Sequence, residues 1–265
     1  MEGEEYVQQL TDIAISSTRM LKYKIDDIMD YALLETDTIR INHGPGTIRD
    51  MLNEVQDILK LQFDHSMIKF SVFISDNVPE TVFTDHKRIK QVLLNLVFNA
   101  LKYTERGFVL VIVDCEYPQH NKVTKYKGYD KCKLRFSVSD TGCGIEKKKR
   151  MNIFNLFSSA NSKHNEDNSE KYMMESSELM GIGLAFCHQI LKKMHSELKL
   201  TSTINIGSTF NFSLEADFPS DHVEEIIVPA NVSIGGFIQN NESMQMIAMQ
   251  AAMKNQTFDG LKERV

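Results

Sequence analysis

Three short stretches combine residue types that chemistry uses. In Asn95-Leu96-Val97-Phe98-Asn99-Ala100-Leu101-Lys102-Tyr103, helical geometry puts Asn95, Asn99 and Lys102 at i, i+4 and i+7, one stripe of a helix otherwise filled by Leu94, Val97, Phe98 and Leu101. Buried carboxamides need partners, and a hard cation with phosphates would supply them. Mg²⁺ takes oxygen ligands, and an asparagine carbonyl completes a shell made mostly of water and phosphate oxygens. In isolation, caps or surface polarity remain the stronger reading of this stripe. The second stretch, Ser139-Asp140-Thr141-Gly142-Cys143-Gly144-Ile145, follows an apolar run. An acceptor-only carboxylate there can take a hydrogen bond from an exocyclic amine, and the two glycines admit a planar ring close to the backbone. Asp and Gly are also ordinary turn residues, so a tight loop is the plainer alternative. In the third, Gly181-Ile182-Gly183-Leu184-Ala185, glycines precede a helix whose free N–H groups and positive end suit phosphate. A plain loop-to-helix junction reads the same way.

The elements that must position these residues are visible as periodicities. From Glu4 to about Thr36, Val7, Leu10, Ala14, Leu21, Ile25, Ile28 and Ala32 recur at spacings of three, four or seven, the seam of one long amphipathic helix. Such a helix packs on the rest of the chain or forms a coiled-coil-like dimer stalk. After a turn at His43-Gly44-Pro45-Gly46, helices are expected over Thr47–Phe63, Arg88–Tyr103 and Gly183–His195. Strands are expected over Ile68–Ser75, Glu80–Phe83, Phe108–Cys115, Leu134–Val138, Leu198–Thr203 and Thr209–Glu215. Ser158–Glu178 is too polar to pack and reads as a lid, with Lys163 and Lys171 as candidate phosphate contacts. The basic run Lys147–Arg150 reads as the solvated start of a helix.

Composition narrows the function classes. The 265 residues are 42% hydrophobic, enough for a sizeable core, and Lys+Arg 30 against Asp+Glu 36 leaves a net charge of −6, which argues against a nucleic-acid surface. No apolar stretch approaches the ~20 residues that cross a bilayer, and the acidic opening Met1–Glu5 lacks the basic region of an export signal. Cys115, Cys132, Cys143 and Cys187 form no CxxC pair, so reduced thiols and a cytoplasmic location are expected.

Taken in order, the Asn-bearing helix, the strand with Asp-x-Gly-x-Gly, Phe154-x-x-Phe157, the polar lid, Gly-x-Gly-Leu-Ala and Gly207-Ser208-Thr209-Phe210 closely resemble the ATP-binding domain of the GHKL superfamily. Within it the match is to sensor and hybrid histidine kinases: Gln91 to Thr104 resembles their N box and Ile153 to Ser158 their F box. The resemblance covers roughly Glu4 to Leu214. It implies a Bergerat-type two-layer α/β sandwich, helices backing one mixed sheet, preceded by the long helix. It also implies roles for single residues with ATP and Mg²⁺ as cofactors. Asn99 would ligate the metal, with Asn95 near it and Lys102 on phosphate, these three forming the catalytic set. Tyr103 would lie near the nucleotide, Asp140 on the adenine amine, Gly142 and Gly144 beside the base, and Gly181, Gly183 and Leu184 at the phosphate loop.

The departures from the family pattern are specific. The lid is longer than usual, His195-Ser196 stands where a Gly-Gly pair is common, and Asn205 stands where another Gly is frequent. Residues 4–40 resemble the second helix of the dimerisation and phosphoacceptor hairpin, 44–218 the ATPase domain, and 219–265 a linker or tail. None of the eight histidines lies in a phosphoacceptor box, and Glu225–Phe237 shows no acidic pair of a receiver. The resemblance therefore implies a catalytic domain that phosphorylates a histidine on a hairpin supplied by another chain or by a full-length kinase subunit. It also implies a response regulator or receiver domain as the partner that acts downstream, and a homodimer in the full-length context. A nucleotide-binding pseudokinase is the alternative. A GHKL ATPase ranks lower, because Asn95 stands where such hydrolases carry a general-base Glu.

Overall fold

The computed structural model describes residues 2–117, 129–153 and 180–219. Phe154, Phe157, the polar stretch from Ser158 with Lys163 and Lys171, and residues 220–265 lie outside them. The chain opens with helix α1, Glu2–Glu35. A short strand β1 (Gly44–Gly46), helix α2 (Ile48–Asp64) and strands β2 (Met67–Ile74) and β3 (Val82–Thr84) follow. Next come helix α3 (His86–Tyr103), the long strands β4 (Arg106–Glu116) and β5 (Tyr129–Asp140), and helix α4 (Lys147–Ile153). Helix α5 (Met180–Lys193) and strands β6 (Lys199–Thr203) and β7 (Gly207–Pro219) complete the described chain.

The strands form one mixed sheet in the order β1-β3-β7-β5-β4-β2, with β6 also paired to β7. Only β2 and β4 run parallel; the other pairs are antiparallel. Alternation along the central strands sends Val109, Val111 and Val113 of β4, Leu134, Phe136 and Val138 of β5, and Phe210, Phe212 and Leu214 of β7 into the core. Phe136 and Phe212 stack there with ring centroids 4.8 Å apart. Helices α2, α3 and α5 supply the other layer through residues such as Leu52, Val55, Leu59, Ile89, Leu93, Leu96, Phe186 and Ile190. Each fully buried side chain of this size contributes roughly 1.5–3 kcal/mol. That is why α3 stays packed although it carries a polar line along its length.

Two caps fix where the helices begin. Asp50 N–H donates to Thr47 Oγ1 at 2.9 Å and starts α2. Asp85 accepts from Arg88 N–H at 3.0 Å to start α3, and its other oxygen accepts from Asn42 N–H at 2.8 Å. The second bond ties the segment before β1 to the helix that bears the asparagines.

The structure corrects one expectation and, of the two readings of the α1 seam, disfavours packing on this domain. His43–Gly46, expected as a turn, contains the strand Gly44–Gly46 paired with β3. Gly-Pro-Gly carries no strand signal, and it is tolerated because β1 is a sheet edge with Pro45 exposed. The apolar seam of α1 does not face the α/β unit. Leu21 is 62% and Ile28 51% exposed, whereas Asp27 and Asp30 are 7% exposed and turn inward. The helix docks on the domain by its polar side, with Tyr23 and Leu34 flanking the acids.

Candidate functional site

The mouth of the sheet is where β5 ends and β7 begins. Asp140 is opposite Val109 of β4 on one side and Ser208 of β7 on the other. Its Oδ1 accepts from Gly142 N–H at 2.9 Å and Ser208 N–H at 3.2 Å, and Oδ2 makes no hydrogen bond among the described residues. Burial pushes its carboxyl up to about 6, against the lowering effect of those two N–H groups. The result is a fixed carboxylate with one oxygen free to accept.

The loop after Asp140 is locked by backbone. Thr141 N–H donates to Phe108 O at 3.1 Å, Cys143 N–H to Tyr103 O at 3.1 Å and Asn205 N–H to Cys143 O at 2.8 Å. A Cβ at Gly142 would overlap the carbonyl oxygen of Tyr103, so glycine is what lets this loop rest on the last turn of α3. Gly207 has φ +135°, and a Cβ there would overlap the carbonyl of Asp140. Gly144 lies against the carbonyl of Thr203. These contacts bring Asp140, Gly142, Gly144 and Tyr103 together, as the sequence pattern requires. Burial raises the Tyr103 phenol above its ordinary range.

The α3 stripe runs from buried to exposed. Asn95 is 4% exposed, Asn99 is half-buried and Lys102 is exposed. The Lys102 ammonium stands 5.9 Å from the Tyr103 ring centroid. Asn99 Nδ2 is shielded from solvent and has no hydrogen-bond partner among the described residues. Asn95 Nδ2 donates to Gln91 O at 3.3 Å. On its other side, a Cβ at Gly183 would sit 2.8 Å from Asn95 Oδ1. Gly183 and Gly181 fall in the first turn of α5, which begins at Met180, three residues earlier than the periodicity indicated. The glycine pair is thus part of the helix start, where N–H groups lack intrahelical partners. Leu184 is half-buried against the core.

Sequence reasoning missed the upstream part of the stripe. Arg88 pairs with Asp30 of α1 and donates to Gln91 Oε1 at 2.9 Å. Gln91 Nε2 donates to Asp27 Oδ1 at 2.6 Å and Asp30 Oδ2 at 3.1 Å. The signal was present, because Arg88, Gln91 and Asn95 continue the line of Asn99 and Lys102 at helical spacing. Ser208, which anchors Asp140, was likewise quoted only as part of the final strand.

Residues 84–217 match the family model described as "Histidine kinase-, DNA gyrase B-, and HSP90-like ATPase". Hybrid signal transduction histidine kinase K of Dictyostelium discoideum is 30% identical over 198 residues, which is 74% of this chain and 15% of that protein. Hybrid signal transduction histidine kinase B of the same organism is 28% identical over 237 residues, 89% of this chain and 11% of the relative. The chain thus spans less than a sixth of these relatives. Among solved structures, full-length ShkA in complex with AMPPNP superposes with a TM-score of 0.54 at 24% identity, over 81% of this chain and 39% of that one, which supports the fold. No described helix is long and apolar enough to cross a membrane. The backbone-locked Asp140 loop and the asparagine helix lie within the matched segment, and the chain belongs to the histidine kinase-, DNA gyrase B- and HSP90-like ATPases, in which its ATP-binding catalytic domain is of the histidine kinase kind.

Proposed function

We propose that this chain binds Mg·ATP and transfers the γ-phosphoryl group to a histidine on a hairpin domain outside residues 1–265. The observation that carries the reading is Asp140, whose Oδ1 is held by two backbone N–H groups while Oδ2 stays open beside glycines that leave no side chain in the way. A carboxylate in this state accepts from the exocyclic amine of adenine and faces the carbonyl of guanine with repulsion. Tyr103, Gly142 and Gly144 form the surroundings of the base. Asn99, Asn95 and Lys102, with Gly181, Gly183 and Leu184 at the start of α5, hold the phosphate end.

The donor set fits a metal that arrives with phosphates. No three His, Cys, Asp or Glu side chains converge among the described residues, which suits a metal held there by the Asn99 oxygen and by the phosphates it arrives with, and the unpartnered Asn99 amide marks a side chain with hydrogen-bonding capacity to spare. Mg²⁺, when bound, supplies neutralisation of phosphate charge. Lys102 adds positive charge at the exposed end of the stripe, and the helix start of α5 presents N–H groups. Asn95 has no basic carboxylate to activate water, which favours phosphotransfer over hydrolysis. The exposed seam of α1, including Leu21 and Ile28, is the surface for a hairpin helix that carries the phosphoacceptor and for the homodimeric partner. A response regulator is the downstream acceptor.

The test uses γ-labelled ATP with the full chain, with and without a supplied hairpin carrying a phosphoacceptor histidine. Acid-labile, base-stable label is expected on the hairpin only, because an acceptor must be placed in line before positioning can accelerate transfer. Polar substitutions at Leu21 and Ile28 should suppress that transfer. Absence of label with a competent hairpin would defeat the reading.

A further inference from the structure

The sheet has a second face, away from helices α1, α2, α3 and α5. The alternation that sends Val109, Val111 and Val113 into the core sends Leu110 and Ile112 of β4 the other way, and with them Ser137 and Ser139 of β5 and Thr209 and Asn211 of β7. Those four helices join the cluster on the first face, whereas Leu110 and Ile112 form a separate one. A sheet face turned to water would leave such side chains partly wet. They are dry: Ser137 is 1%, Ile112 5%, and Leu110 and Thr209 each 6% exposed. Ser137 Oγ and Asn211 Oδ1 are shielded from solvent and have no hydrogen-bond partner among the described residues. The patch is therefore covered, and by chain outside residues 2–117, 129–153 and 180–219.

Residues 118–128 follow Tyr117, and reaching Ile112 and returning takes roughly 34 Å at ~3.4 Å per residue, nearly all the span that so short a loop has. Residues 154–179 join α4 to α5, whose first turn faces Asn95 on the helix side of the sheet. Residues 220–265 continue from β7, which itself forms part of the patch, and are long enough to return along it. Within them, residues 243–253 carry no charge, with Met244, Met246, Ile247 and Met249 apolar and Gln245 and Gln250 polar. The patch is equally neutral: Leu110 and Ile112 are apolar, and the Ser139 and Thr209 hydroxyls bond to each other at 3.0 Å. Methionine side chains fill uneven apolar surface, and glutamine amides can both donate and accept at Ser137 and Asn211. We infer that residues 220–265 fold back and dock the uncharged stretch 243–253 on the outer face of the sheet, over Leu110, Ile112 and Ser137. Ser139 and Thr209 adjoin Asp140 and Ser208 in the β5–β7 pairing, so the cover braces the strand ends that hold the Asp140 carboxylate.

The experiment uses the full chain carrying Ser137→Cys, alkylated with iodoacetamide and followed site by site by mass spectrometry. The exposed Cys143 and the buried Cys187 serve as references in the same molecule. The thiol of Ser137→Cys should react about a hundredfold more slowly than Cys143. Adding Met246→Asp and Met249→Asp should raise its rate about tenfold or more, because a carboxylate cannot lie on a dry face without a partner, while Cys187 stays protected and reports an intact core. A second measurement leaves the tail unaltered: Leu110→photo-leucine, in a mixture of isotopically light and heavy chains, should cross-link on illumination to residues 243–253 of the same chain. Reaction of Ser137→Cys as fast as Cys143 would overturn the inference, and so would an unchanged rate in the tail variant. Cross-links to residues 118–128 or 154–179, or between light and heavy chains, would overturn it by naming a different cover. Should Cys187 become reactive in the tail variant, the cross-link alone decides.

Discussion

The two sides of the candidate site are built on opposite plans. On the Asp140 side, the polar groups are satisfied by backbone: Gly142 and Ser208 hold the carboxylate, and Phe108, Tyr103 and Cys143 hold the loop. On the α3 side, polar groups are left over. Asn99 carries an amide nitrogen without a partner among the described residues, and Lys102 extends into solvent. The first side is preorganised and costs little to engage, whereas the second becomes complete only with a ligand's oxygens and charges. Base choice should therefore be a property of the fold, and phosphate binding a property of the ligated state. Mutations on the first side should be felt in stability, and mutations on the second in affinity.

The harshest way to break the Asp140 side is Gly207→Ala. The φ of +135° and the overlap of a Cβ with the Asp140 carbonyl leave no relaxed position for the methyl, and Ser208 N–H would be pulled from the carboxylate. A loss of about 2–4 kcal/mol in urea denaturation is expected. A change under ~0.5 kcal/mol would show that the junction is plastic and that the contrast between the two sides is overstated. The matching change on the other side, Asn99→Ala, removes an oxygen ligand and an unpartnered amide and opens no core cavity. Stability should stay within ~0.5 kcal/mol, while Mg·ATP affinity falls about tenfold to a hundredfold in calorimetry.

The charge on Asp140 gives a sharper comparison still. Burial disfavours its charged form and pushes the carboxyl up to about 6, above the ordinary carboxylate value of 3.8. The ionised group is the stronger acceptor for the adenine amine, so ATP affinity should decline as pH falls through about 6. The group's own contribution to stability runs the other way: it is fully present below 3.8 and is lost as pH rises through 6. Asp140→Asn should flatten the pH dependence and narrow the preference for ATP over GTP by ~1–3 kcal/mol, since an amide nitrogen can face the guanine carbonyl. A midpoint that persists in the variant would assign the titration to another group.

How much of this was legible in the sequence depends on the range of the contact. The i, i+4, i+7 line of Asn95, Asn99 and Lys102 and the alternation of β4, β5 and β7 are local patterns, and the structure places them as read. Gly107 and Gly207 close against Thr141 and Asp140, residues far away in the chain, and nothing in their neighbours announces such an approach. Asp27, Asp30, Arg88 and Gln91 are types usually found in solvent. They read as surface until the structure shows α1 docking by its polar face and leaving Leu21 and Ile28 exposed. Periodicity locates an amphipathic helix, but it assumes that the apolar side is the one that meets this chain.

The mildest test separates backbone strain from site function. His195 and Asn205 have φ values of 55° and 60°, in the left-handed region. His195 ends α5 through His195 N–H to Lys192 O at 3.1 Å and Ser196 N–H to Leu191 O at 2.8 Å, a helix-end geometry that glycine fills without cost. Asn205 belongs to the Asp140 side through its N–H to Cys143 O, and asparagine tolerates this conformation better than most side chains do. His195→Gly should therefore stabilise the chain by about 0.5–1 kcal/mol, and Asn205→Gly by less, both measured as shifts in the urea midpoint. Neither side chain reaches the Asp140 carboxylate or the α3 stripe, so Mg·ATP affinity should stay at the parent value in both variants. A changed affinity in Asn205→Gly alone would mean that the locked loop beside Asp140 depends on that side chain, and that even the preorganised side keeps some freedom for the ligand to remove.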